Sequence, residues 1–127
     1  MRYLAIDYGA KRVGVAMSDE RGDFSYPFAV LENSKNLIGK IAEICKENNV
    51  GQIIVGQSLD FSQKENKIME EILPFVEDLK KETSLRVCMY PEFMTSAEAE
   101  RIQGKNDMHD ASAAAIILKS YLDRHGK

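Results

Sequence analysis

The rhythm of apolar residues changes along this chain in one particular order, and that order leaves few folds open. Arg2 to Asp7 (RYLAID) and Arg12 to Ser18 (RVGVAMS) read as strands, separated by Tyr8-Gly9-Ala10-Lys11, a short glycine-bearing connection that suits a hairpin. Phe24 to Leu31 (FSYPFAVL) reads as a third strand, and Pro27, which has no N–H to give a ladder, assigns it to an edge or a bulge. The spacing then turns helical. Ser34 can cap a helix that carries Leu37, Ile38, Ile41, Ile44 and Cys45 on one face and ends near Asn48-Asn49. Gln52 to Gly56 (QIIVG) is the short continuous apolar run of a central parallel strand covered on both faces. Helical spacing returns from Ser62 to Thr83, with a kink or break expected at Pro74. Leu85 to Tyr90 (LRVCMY) is a fifth strand, Thr95-Ser96-Ala97-Glu98 has the form of a capping box opening another helix, and the last helix contains Ala111, Ala114, Ala115, Leu118 and Leu122.

Three closely joined strands followed by two that are reached through helices imply an α/β fold. The sheet should be five-stranded and mixed, its first three strands antiparallel and its last two parallel, with helices on both faces. At 127 residues and 44% hydrophobic composition, residues 1–127 are expected to form a single domain.

Composition narrows the function. No stretch approaches the roughly 20 apolar residues that cross a bilayer, and Met1 to Asp7 enters a strand-like segment without a basic leader, so a cytoplasmic location with no membrane partner is expected. Cys45 and Cys88 fall at apolar positions without the paired spacing of a zinc site. The net charge of -3 argues against a protein that coats nucleic acid through broad positive charge. It is compatible with a metal-dependent nuclease, because such an enzyme must carry a carboxylate cluster whose charge bound cations reverse.

Three carboxylates are candidates for that cluster. Asp7 ends the first strand just before a turn, at the mouth of the expected sheet; the plainer alternative is a turn-forming Asp bonded to its own backbone. Glu92 follows the fifth strand at its carboxyl end, where open α/β sheets hold their ligands. Asp110 lies in the first turn of the last helix, which either serves a ligand or simply compensates the helix dipole. Brought together, the three would suit Mg²⁺ or Mn²⁺, hard cations that take oxygen ligands, and two such ions about 4 Å apart can serve both sides of a phosphodiester displacement.

The segment Asp7-Tyr8-Gly9-Ala10-Lys11-Arg12-Val13-Gly14-Val15-Ala16, with Ser18-Asp19 after it, resembles the opening Asp-x-Gly-x-Lys-Arg-x-Gly-x-Ala motif of the YqgF family, also described as a Holliday junction resolvase family. Ile53-Ile54-Val55-Gly56 is similar to the family's central strand, Glu92-Phe93-Met94-Thr95-Ser96 stands where it has Asp-Glu-Arg-x-Thr-Thr, and Asp110 to Asp123 is close to its final helix. The resemblance implies an RNase H-like fold, metal-dependent nuclease activity and a role in maturing the 5′ end of 16S ribosomal RNA, with Asp7, Glu92 and Asp110 at the positions of the family's acidic triad. Three departures stand out: Pro91 where the family has an acidic residue, Phe93 where it has Arg, and Gln57-Ser58 after Gly56. They bear on substrate choice and turnover more than on metal binding.

Candidate substrate contacts are Gly9, Lys11, Arg12, Gly56 and Thr95. Lys11 and Arg12 can hold a phosphate backbone, Arg through a bidentate fork and Lys as a point charge, and Gly56 would let a ligand approach the main chain. Asp107 is expected as a helix N-cap and His109 as a surface residue, although a fourth metal-facing acid and a proton shuttle are the sharper readings. RNA precursors and four-way DNA junctions both offer phosphates, and no base-reading motif separates them; the resemblance favours RNA, with ribosomal particles as further partners and a monomer or homodimer as the assembly. Two rivals remain: a sugar-kinase-like ATPase, which shares an Asp-x-Gly hairpin but needs a second lobe, and an RNA- or ribosome-binding module that has lost turnover.

Overall fold

The computed structural model describes residues 1–9, 11–58, 68–92 and 109–125. Among these the order is β1 (Arg2–Tyr8), β2 (Arg12–Ser18), β3 (Ser25–Glu32), α1 (Leu37–Glu47), β4 (Val50–Ser58), α2 (Ile68–Thr83), β5 (Arg86–Glu92) and α3 (His109–His125). The five strands form one sheet in the order β3-β2-β1-β4-β5. Strands β1, β2 and β3 pair antiparallel, while β4 runs parallel to both β1 and β5, so the sheet is mixed in the way the element order implies.

Period-two alternation sends each strand's side chains to two different cores. Leu4, Ile6, Val13, Val15, Met17, Ile53, Val55 and Val87 meet α1 and α2 through Leu37, Ile41, Ile72, Phe75, Val76 and Leu79. Ala5, Ala16, Ile54 and Tyr90 meet α3 through Ala114, Ile117, Leu118 and Leu122. Ile53, Ile54 and Val55 are all fully buried, because β4 is central and covered on both faces. Each such side chain contributes about 1.5–3 kcal/mol of burial.

Several local expectations shift. Strands β4 and β5 are longer than their apolar runs: β4 continues to Ser58 and β5 to Glu92, paired through Gln57↔Pro91 and Ser58↔Glu92. Glu92 is therefore the last residue of β5 and does not follow it. Pro91 is tolerated in that ladder because β5 is an edge strand. Pro27 meets both of its alternatives, standing in an edge strand at a register shift where Val15 faces Ala29 and Ala16 faces Pro27. Helix α1 is capped at Asn36 without a side-chain bond; Ser34 instead forms a turn before it, its carbonyl accepting from the Leu37 amide at 3.1 Å. Helix α2 runs unbroken from Ile68 to Thr83 with Pro74 inside, since Pro74 lies on the exposed side while Ile72, Phe75, Val76 and Leu79 hold the other side to the sheet. The Thr95–Glu98 capping box, Asp107 and the stretch from Ser62 to Lys67 lie outside the described residues.

Helices α1 and α2 both hand over to the next strand through a left-handed residue, Asn49 at φ 55° and Ser84 at φ 58°. The last carbonyls are satisfied locally: the Asn48 amide donates to Ile44 at 3.1 Å, and the Thr83 hydroxyl donates to Leu79 at 2.7 Å. Among the described residues no helix is long and apolar enough to cross a membrane.

Candidate active site

The site is set by which face and which edge of the sheet its residues occupy. Asp7 shares a strand face with Ala5, hence the face that α3 covers, whereas its neighbours Ile6 and Tyr8 belong to the α1/α2 face. Asp7 is held in the ladder opposite Gly14 and is partly exposed. On β5, Cys88 and Tyr90 belong to the α3 face, so the position of Glu92 falls on that face too by the same alternation. Both positions lie at the carboxyl edge of the parallel strands. Two strand spacings, about 10 Å, separate β1 from β5 across β4.

Helix α3 reaches the same edge because of its direction. Tyr121 near its end packs its ring on Tyr3 and accepts a hydrogen bond from Gln52 Nε2 at 3.0 Å, both at the amino end of the parallel strands. Ile117, one turn earlier, lies against Gly56 near their carboxyl end. The helix therefore runs antiparallel to β1 and β4, and its first turn, with Asp110, starts over the edge where β1 and β5 end. Asp110 precedes Ile117 by seven residues, about 10 Å of helix, and takes the same angular position as Ala114 and Ile117. Two strand termini and one helix start are thus brought to one edge of one face.

Buried polar groups fix this alignment. Gln52 Nε2 donates to the Tyr121 hydroxyl and to Cys88 Sγ at 3.3 Å, and the Tyr90 hydroxyl pairs with Ser120 Oγ at 3.1 Å. The Ser25 hydroxyl donates to the Ala115 carbonyl at 2.9 Å, tying α3 to the edge strand β3. Sequence reasoning passed over this network, because Gln52 looked like part of an apolar strand. A glutamine inside such a run is the signal that finds it.

At Gly56 the structure shows a close approach of the helix. A Cβ there would meet Ile117 Cδ1 at 2.6 Å, so its missing side chain lets α3 settle onto the sheet. Lys11 and Arg12 are exposed at the start of β2, beside the end of β1, on the same edge as Asp7. Thr95 and Phe93 lie outside the described residues. A cavity of about 410 Å³ lies at the opposite edge, among Glu43, Cys45, Lys46, Val50, Glu82 and Thr83, away from all three acids. There burial pushes the Cys45 thiol up to about 11 from its ordinary 9.0.

A solved structure of Thermus thermophilus RuvC in complex with a Holliday junction substrate superposes over 99% of this chain and 97% of its own, with a TM-score of 0.66 at 16% identity. The fold is therefore the mixed α/β fold of RuvC. The chain belongs to the RuvX family, described as Holliday junction resolvase, whose model matches residues 1–124. By that membership it is a nuclease. A "Putative pre-16S rRNA nuclease" of Fusobacterium nucleatum is 34% identical over 96% of both chains. Another of the same name, from Endomicrobium trichonymphae, is 32% identical over 96% of this chain and 95% of its own.

Proposed function

We propose that this chain hydrolyses a phosphodiester bond in precursor 16S ribosomal RNA at a divalent-metal site formed by Asp7, Glu92 and Asp110. The observation that carries the reading is the shared edge: β1 and β5 end there on the α3 face, and α3 begins over it. Oxygen-only donors of this kind fit Mg²⁺ or Mn²⁺ better than a soft metal, which would call for cysteine or histidine. When bound, two such ions would supply an activated water and charge stabilisation at the leaving oxygen.

The chain's own residues supply the rest. Lys11 and Arg12 hold the phosphate backbone next to Asp7. The tight packing of α3 through Gly56 and the three successive alanines Ala113 to Ala115 keeps the helix's first turn close to the strand ends. RNA is favoured by the names of the curated relatives. A four-way DNA junction is the second reading, favoured by the description of the family model.

Cleavage of a labelled RNA spanning the 5′ end of 16S rRNA, set beside a synthetic four-way DNA junction, tests the proposal. Wild type should cut the RNA in Mg²⁺ or Mn²⁺ and stop in EDTA, and Asp7→Asn should be inactive. Equal cleavage by wild type and Asp7→Asn would leave a binding module without turnover as the better account; faster cutting of the junction would move the substrate to DNA.

A further inference from the structure

A residue far from the acids in sequence holds the turn beside them. Asn33, just past the end of β3, uses its main chain and its side chain on the two sides of position 10. Its amide donates to the Lys11 carbonyl at 3.0 Å, and its Nδ2 donates to the Gly9 carbonyl at 2.9 Å. Asn33 is half-buried, so both bonds are partly shielded from water. The turn is tight on its other side as well: a Cβ on Gly9 would stand 2.5 Å from the Arg12 carbonyl oxygen. Immediately before it, the Tyr8 ring packs on Phe75 of α2 with centroids 4.8 Å apart. The connection that follows Asp7 is thus anchored to α2 through Tyr8 and to β3 through Asn33.

We infer that Asn33 is a positioning residue for nucleic acid binding, clamping Gly9 and Lys11 so that the Lys11 side chain is presented to the substrate backbone at the Asp7 edge. The inference rests on the nuclease reading above and adds a specific residue to its substrate grip. Asp7 does not depend on this clamp, because the Asp7↔Gly14 and Tyr8↔Val13 rungs hold β1 in register without it. Lys11 does depend on it. A main chain fixed beforehand leaves less to be ordered when phosphate binds. The expected signature is therefore on binding and not on the chemical step.

The test is a double-mutant cycle on labelled single-stranded RNA in Mg²⁺, with Asp7→Asn run alongside. Asn33→Ala, which removes the Gly9 bond and keeps the main-chain bond, should raise KM roughly 5- to 10-fold with kcat within about twofold. The slope of log KM against log salt should fall by about 0.7, as for one lost phosphate contact to a single strand. Lys11→Gln should do the same, and the double variant should be no worse than Lys11→Gln alone. Amide exchange supplies a readout free of activity: the Asn33 N–H should exchange faster in Asn33→Asp, an isosteric variant that has no donor for Gly9 and covers the case of a poorly folding alanine variant. Additive KM effects, a fall in kcat at constant KM, or an unchanged salt slope would each overturn the inference. Full cleavage by Asp7→Asn would instead remove the nuclease site itself, whatever Asn33 does.

Discussion

The two faces of this sheet are packed by different rules. The α1/α2 face is filled by large aliphatic side chains such as Leu4, Ile6, Met17, Ile41, Ile53, Ile72 and Leu79, all fully buried. The α3 face is built on small residues, Ala5, Ala16 and Gly56 on the sheet and Ala113 and Ala114 on the helix, and is crossed by the Gln52–Tyr121 and Tyr90–Ser120 hydrogen bonds. The thick face holds the larger cluster of buried apolar side chains, beside a smaller one of Ile54, Tyr90, Ile117, Leu118 and Leu122 on the thin face. The thin one runs the last helix antiparallel to β1 and β4, so that its first turn lies towards the edge at which β1 and β5 end, and it is the face on which the proposed site depends. Packing and chemistry are divided between the faces, and substitutions on each should have separable effects.

The largest separation should come from the acids. Asp110→Asn is expected to lower metal-dependent RNA cleavage by at least about 100-fold with only a small change in melting temperature, because the amide is isosteric and a charge at a helix start is worth under about 1 kcal/mol. On the opposite face, Leu79→Ala should cost about 2–5 kcal/mol in urea unfolding, while cleavage per folded molecule stays near that of wild type. An Asp110→Asn variant that lost stability as heavily as activity, or a Leu79→Ala variant that lost cleavage per folded molecule, would blur the contrast.

Gly56→Ala probes the boundary between the two roles. Its new methyl would collide with the tip of Ile117, so a loss of about 1–3 kcal/mol is expected together with reduced cleavage as α3 lifts from the edge. Adding Ile117→Val, which removes the colliding carbon, should restore both. Smallest is a pH effect confined to the thick face. The folded chain keeps the Cys45 thiol protonated up to about 11, whereas the unfolded chain ionises it near 9.0. Its contribution is complete below pH 9 and is lost as pH rises towards 11. Denaturation at pH 8, 9 and 10 should accordingly show a shallower alkaline decline in Cys45→Ala than in wild type.

Much of this division could be read from the sequence, and the parts that could not have physical causes. The β2 boundaries, the central position of β4 and the edge placement of β3 follow from alternation, a continuous apolar run and Pro27, all local signals. The ends of β4 and β5 did not follow from apolar runs, because Gln57, Ser58, Pro91 and Glu92 extend the ladder through main-chain pairing that no side-chain pattern reports. Pro74 suggested an interruption that the packed side of α2 overrides. The acids could be named from motif and strand position. Relating the strand positions of Asp7 and Glu92 needed the register between β1, β4 and β5, and the contacts of Asn33 and Gly56 span 24 and 61 residues of chain.

Anomalous diffraction from crystals soaked in Mn²⁺ bears most directly on this arrangement. One or two peaks should appear at the carboxyl edge on the α3 face, within about 2–2.5 Å of oxygens from Asp7, Glu92 and Asp110, and should vanish in Asp7→Asn crystals. Manganese bound elsewhere, or any of the three carboxylates turned away from a common ion in wild-type crystals, would contradict the account.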